Sequence, residues 1–146
     1  MMKDFSILGS ILTPQEKHVV LVLDAMCIKP KFEFKPNEDF IIGREDFGEF
    51  GRNNVGATHA LVLMLRGLSS KWKQVIAYFF FRNTVKSEML ANIIRKASAE
   101  ISRAGFSLRD ITFDQEINQM VFIKEQCITE ANTCLHLNPD RCVYRF

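Results

Sequence analysis

The run His18-Val19-Val20-Leu21-Val22-Leu23-Asp24 decides how the rest of the chain reads. Aliphatic and β-branched residues follow one another there without a polar interruption. The run is short for a helix, and it has the character of a strand buried on both faces. An acid closes it. Open α/β sheets place their sites at the carboxyl ends of strands, which makes Asp24 the first candidate site residue.

Working outward, two more runs of the same kind are His59-Ala60-Leu61-Val62-Leu63-Met64-Leu65 and Val75-Ile76-Ala77-Tyr78-Phe79-Phe80-Phe81. The short polar connection Arg66 to Lys73 between them predicts an antiparallel pair. Lys29 to Gly56 is polar and turn-rich, although Lys31 to Phe34 and Asp39 to Ile42 could form a small hairpin. Upstream, Thr13-Pro14-Gln15-Glu16 reads as a turn or a helix start, and residues 1–17 are taken as a lead-in.

Beyond Asn83-Thr84, either of which can cap a helix, Leu90, Ile93, Ile94, Ala97, Ile101 and Ala104 recur with the period of an amphipathic helix. Glu88 near its start, Arg103 in its last turn and Gly105 just past it suit the helix termini. Leu108 to Asp114 is a short strand closed by a second acid. A helical stretch follows with Ile117, Met120 and Val121 on one face, then a turn at Asn138-Pro139-Asp140, and Cys142 to Phe146 begins another strand.

This order predicts a mixed sheet with helices on its faces. The long helix supplies a crossover, so the Asp114 strand can run parallel to the first. If those strands are neighbours, Asp24 and Asp114 meet, and paired carboxylates can bridge divalent cations. Two metals about 4 Å apart would activate the attacking oxygen and stabilise the leaving oxygen of a phosphodiester displacement. A strand-end Asp is also an ordinary turn former, so the spacing alone leaves a structural role open.

Composition sets the outer bounds. The chain has 146 residues, of which 47% are hydrophobic, enough for one domain with a core. A net charge of +2 is too small to argue nucleic-acid binding by itself. Cys27, Cys127, Cys134 and Cys142 show no close pair of the zinc-knuckle or redox kind. No signal-peptide pattern opens the chain and no apolar run reaches membrane-span length, so the expectation is a soluble intracellular protein with no membrane partner.

Leu23-Asp24-Ala25-Met26-Cys27-Ile28-Lys29-Pro30, Thr58 to Leu68, Trp72 to Phe80 and Phe113-Asp114-Gln115 together resemble the ribonuclease-H-like domain of P-element transposases and their THAP-associated relatives. The likeness runs from about Thr13 to the C-terminus, in four blocks in the right order. It implies an α/β fold with a ribonuclease-H-like mixed sheet, strands one to three antiparallel and the fourth parallel, truncated at its C-terminal side. On this reading residues 18–146 are a partial domain of that kind. The resemblance implies cutting and joining of DNA with Mg2+ or Mn2+ held by an Asp ending the first strand, an Asp after the helix and a later Glu. The first two correspond to Asp24 and Asp114 as catalytic and metal-binding residues, and DNA would be the partner, in the nucleus.

The departures bear on activity. Ala25 stands where the family usually has an acid, and Glu116 where it usually has Gly, which would crowd the substrate or substitute as a ligand; crowding is favoured. The family's third acid, nucleotide-binding insertion, zinc-finger domain and coiled coil have no counterpart here. The expectation is a transposase fragment inactive alone, or alternatively a domesticated, non-catalytic nucleic-acid or protein-binding module.

Other candidates have plain structural readings beside the functional ones. Glu88 can serve the helix dipole or act as a third ligand, and His59 can be a hydrogen-bonded strand residue or a phosphate contact. His18 and His136 carry less. Trp72, between Lys71 and Lys73, is read as capping the core in preference to stacking on a base. Lys29, Lys31 and Lys35 are either a solvated face or a guide for a phosphate backbone.

Overall fold

Aliphatic runs fix the centre of the sheet. In the computed structural model, which describes residues 10–36, 40–113, 135–138 and 141–145, the first run becomes β1 (His18–Cys27). The next elements are β2 (Glu33–Lys35), β3 (Phe40–Ile42), β4 (Arg44–Asp46), β5 (Arg52–Gly56), β6 (His59–Gly67) and β7 (Lys73–Phe81). Helix α1 (Ser87–Arg103) follows, then β8 (Ser107–Phe113), β9 (Leu135–Asn138) and β10 (Arg141–Arg145).

Among the described residues eight strands form one sheet in the order β5-β4-β7-β6-β1-β8-β10-β9, and β2 with β3 forms a separate hairpin. β1 runs antiparallel to β6 and parallel to β8, and β6 runs antiparallel to β7. The expected mixed sheet is therefore present, with the antiparallel trio β1, β6, β7 and the parallel β8 beside β1. β7 and β8 point the same way, so the chain needs a crossover between them, and α1 provides it.

Alternation along the strands decides which face α1 covers. Leu21 and Leu23 on β1, Leu61, Leu63 and Leu65 on β6, and Ile111 on β8 are nearly or wholly buried. They pack against Leu90, Ile93, Ile94, Ala97 and Ile101 of α1 in one cluster. Each of these buried branched side chains contributes about 1.5–3 kcal/mol of transfer free energy, which makes this layer the main source of stability. The intervening residues Val20, Val22, Val62 and Met64 are half-buried on the other face.

The termini of α1 follow different rules. Its C-terminal end is a Schellman motif: Phe106 N–H donates to Ile101 O at 3.1 Å and Gly105 N–H to Ser102 O at 3.0 Å. Gly105 takes φ +82°, where a side chain would be strained. At the other end neither Asn83 nor Thr84 is the cap. Lys86 holds that position without a side-chain hydrogen bond. Asn83 instead turns the chain out of β7 in the left-handed region, φ 62°, and its N–H donates to Thr58 Oγ at 3.1 Å. Asn tolerates that conformation better than most residues, so it serves the turn and not the cap.

Other differences from expectation have local causes. β1 extends three residues past Asp24, because Ala25, Met26 and Cys27 continue the ladder against β6. The expected strand up to Asp114 is described as far as Phe113; Asp114 lies outside the described residues, as do Ile117, Met120 and Val121. β4 and β5 were not expected. They are short, mostly polar strands at one side of the sheet without an aliphatic signature, β5 outermost and β4 held through Asp46 opposite Phe80 of β7. β9 was likewise unanticipated beside the expected terminal strand β10. Trp72 packs against the core, its ring 5.7 Å from that of Phe106. Among the described residues no helix is long and apolar enough to cross a membrane.

Candidate functional site

Parity along β1 places Asp24 on the face opposite α1, since Leu21 and Leu23 point into the core. The side chain is exposed. Its Cα partner on β6 is Val62. Among the described residues its carboxylate has no hydrogen-bond or ion-pair partner. A carboxylate left in water on an open sheet face is available to a ligand, whereas one fixed in a turn would have a backbone donor.

The parallel ladder brings the preceding residues together. Leu23 pairs with Phe113, Val22 with Thr112 and Leu21 with Ile111. Each of the two acids singled out in the sequence follows directly on a member of the last pair, Leu23 and Phe113. Asp114 itself lies beyond the described residues, so the distance between the two carboxylates is not part of the described geometry.

Asp24 also stands at one end of an open groove of about 600 Å³ on this face, lined by Val20, Val22, Met64, Arg66 and Asp110 among others. Val20 is the register partner of both Arg66 and Asp110, so a cation, an aliphatic residue and an acid form one row across three strands. Asp110 did not stand out in the sequence. It shares Asp24's face, but the row lies four residues back along β1, about 13 Å at the rise of a strand. That separation exceeds the roughly 4 Å spacing of paired metals, so Asp24 and Asp110 cannot serve one such site. One Asp110 oxygen accepts the Ile111 N–H at 3.0 Å.

The remaining candidates are divided between the two ends of the sheet. Glu88 is exposed in the first turn of α1. Lys29 and Lys31 follow β1 and are exposed, and Lys31 has an ion pair with Glu33 at 3.8 Å, both side chains open to solvent. Such a pair is weak and exchangeable. His18 lies at the opposite end, accepting a hydrogen bond from Arg109 Nε at 3.0 Å. His59 is a strand residue with side-chain partners on both sides, Cys27 and Thr58.

Divalent magnesium and manganese take hard oxygen ligands and fill their remaining positions with water and phosphate. Asp24, an exposed carboxylate beside an open groove, suits that chemistry. Among the described residues no three His, Cys, Asp or Glu side chains are grouped closely enough to hold a metal unaided. Asp24 thus fits as one contributor to a site that needs further oxygens.

Comparison with known proteins agrees with the topology. The chain is similar to the strand transfer complex of the Drosophila P element transposase, with 21% identity, a TM-score of 0.56 and 82% of this chain covered. The matched region, 82% of this chain, is 24% of that chain's length, so the match spans about a quarter of it. At this identity the likeness concerns the fold. No curated protein matches. The family described as "TNP-like, RNase H N-terminal domain" matches over residues 6–126, most of the sequence, and the chain belongs to this family of transposase ribonuclease-H-like domains.

Proposed function

We propose that this domain contributes the first part of a two-metal site for cleaving and joining DNA strands, with Asp24 and Asp114 as the paired carboxylate ligands. The observation that carries the reading is the parallel register of Leu23 with Phe113, the last described pair between β1 and β8, each partner being followed in sequence by an aspartate. Magnesium or manganese, when bound, would activate the attacking oxygen and stabilise the leaving one. Asp24 would hold the metal at one end of the open groove, and Asp114, the next residue in sequence after Phe113, would supply the second carboxylate. Lys29 and Lys31 would draw the phosphate backbone towards that edge, Lys31 exchanging its exposed partner Glu33 for phosphate.

Two carboxylates leave such a site short of ligands, and the third acid implied by the resemblance has no counterpart in these residues. The 146-residue chain is therefore proposed to be inactive by itself. The test is a cleavage assay on plasmid and oligonucleotide DNA with Mg2+ or Mn2+. No turnover above background is expected; robust cleavage that disappears in Asp24→Ala would keep the metal site and overturn the inactivity.

A second reading, a non-catalytic binding module, is favoured by the β2–β3 region, where Phe32 and Phe34 are 59% and 56% exposed. Large aromatic side chains in water are a common mark of a contact surface. On this reading Phe32→Ser with Phe34→Ser abolishes partner binding or self-association, measured by analytical ultracentrifugation and pull-down, and Asp24→Asn has no effect on either.

A further inference from the structure

Where β1, β6 and β7 reach the same end of the sheet, Cys27, His59 and Phe81 form a cross-strand row, Cys27 opposite His59 and His59 opposite Phe81. Cys27 Sγ is 3.3 Å from His59 Nε2. His59 Nδ1 is 2.7 Å from Thr58 Oγ, and that oxygen also accepts the Asn83 N–H at 3.1 Å. The imidazole stacks on the buried Phe81 ring, with centroids 5.3 Å apart and planes inclined by 21°. The thiol itself is exposed.

This is the arrangement of an activated nucleophile: a thiol in contact with a base, the base oriented by a third polar group, and the base's ring fixed by packing. In the tautomer with Nδ1–H donating to Thr58 Oγ, Nε2 is the acceptor facing the sulfur. Phe81 restricts the ring from one side and β6 fixes its backbone, so the contact does not depend on a mobile side chain. None of these residues takes part in the proposed metal site.

We propose that Cys27 is an imidazole-assisted nucleophilic thiol and a site of reversible S-thiolation by small-molecule disulfides such as glutathione disulfide. As the sulfur attacks, its proton passes to His59 Nε2. The S–S bond of the disulfide breaks, one half stays bonded to Cys27, and the other leaves as a thiolate that takes the proton back from the imidazolium. The result is one mixed disulfide and one free thiol, with the oxidising equivalent supplied by the disulfide. The adduct stands on β1 three residues beyond Asp24.

The experiment follows mixed-disulfide formation with glutathione disulfide on the full 146-residue chain, read at Cys27 by peptide mapping so that Cys127, Cys134 and Cys142 are scored separately. General-base assistance of this kind is worth on the order of 10²-fold in rate. Cys27 in the native chain should therefore react faster than Cys27 in guanidinium-unfolded chain by roughly that factor. His59→Gln should bring the native rate close to the unfolded one, and Thr58→Val should give an intermediate rate, both at unchanged circular dichroism. A native rate at Cys27 no faster than the unfolded rate overturns the proposal, as does a wild-type rate in folded His59→Gln. If that variant does not fold, the native-against-unfolded comparison on the wild-type chain decides the matter.

Discussion

Leu23 on β1 and Phe113 on β8 are register partners in a parallel pair, and each is followed in sequence by an aspartate. The relationship depends on the core beneath it, because Leu23 is 1% exposed and sits in the cluster that α1 covers. A parallel pair needs a crossover connection, and here the crossover helix α1 packs on the same cluster as Leu23 and Ile111, so the register of β1 with β8 and the packing of α1 are coupled.

That coupling makes Leu63→Ala informative. Leu63 is fully buried, lies opposite Leu23 on β6 and belongs to the same cluster. The substitution should cost about 2–5 kcal/mol, measured as a lowered urea midpoint at unchanged m-value.

Asp24→Asn should behave in the opposite way. The carboxylate is exposed and has no side-chain partner among the described residues, so stability should shift by no more than about 0.5 kcal/mol. In a longer chain that carries the remaining acid, the same change should abolish metal-dependent cleavage. A large loss of stability on urea denaturation would mean that Asp24 serves the fold.

Gly67 accommodates the one tryptophan in the sequence. A Cβ on Gly67 would lie 2.6 Å from Trp72 Nε1 and 3.0 Å from Ser70 O. Gly67→Ala should push the indole out of its place against Phe106, cost about 1–3 kcal/mol, and red-shift the intrinsic fluorescence. An unchanged emission maximum would show that the ring tolerates the methyl group.

Glu16 reports on the turn that leads into β1. Its carboxylate accepts hydrogen bonds from the Thr13 hydroxyl at 2.7 Å and the Thr13 N–H at 3.0 Å, and these hold its pKa below the usual carboxylate value of 4.5, the hydroxyl first. A depressed carboxyl pKa favours folding above the ordinary value, and the effect is lost as pH falls through the depressed one. Thr13→Val should move the Glu16 pKa up towards its ordinary value in a carboxyl NMR titration. No movement would assign the shift to another cause.

How far the sequence discloses this molecule follows from what each element buries. β1, β6, β7 and α1 bury continuous or periodic apolar residues, and their pattern names them directly. β4 and β5 are held by polar contacts such as the Arg52–Asp46 ion pair at 3.0 Å, and no periodicity announces them. Asp24 was legible as the acid that closes an apolar run, although the strand itself continues to Cys27. The groove beside it was not, because Val20, Arg66 and Asp110 meet only through the register of three strands. The Cys27–His59 contact was hidden for the same reason: 32 residues separate them in sequence, and only the antiparallel ladder makes them neighbours.

Whether Asp24 is a metal ligand is tested most directly by titrating the isotopically labelled chain with Mn2+ and following paramagnetic broadening of its backbone amides. Broadening should begin at Leu23, Asp24, Ala25 and Phe113, spare His18 and Ser107 at the far end of the same strands, and vanish from the first group in Asp24→Asn. Broadening that is uniform over the surface, or that survives unchanged in Asp24→Asn, would contradict the assignment.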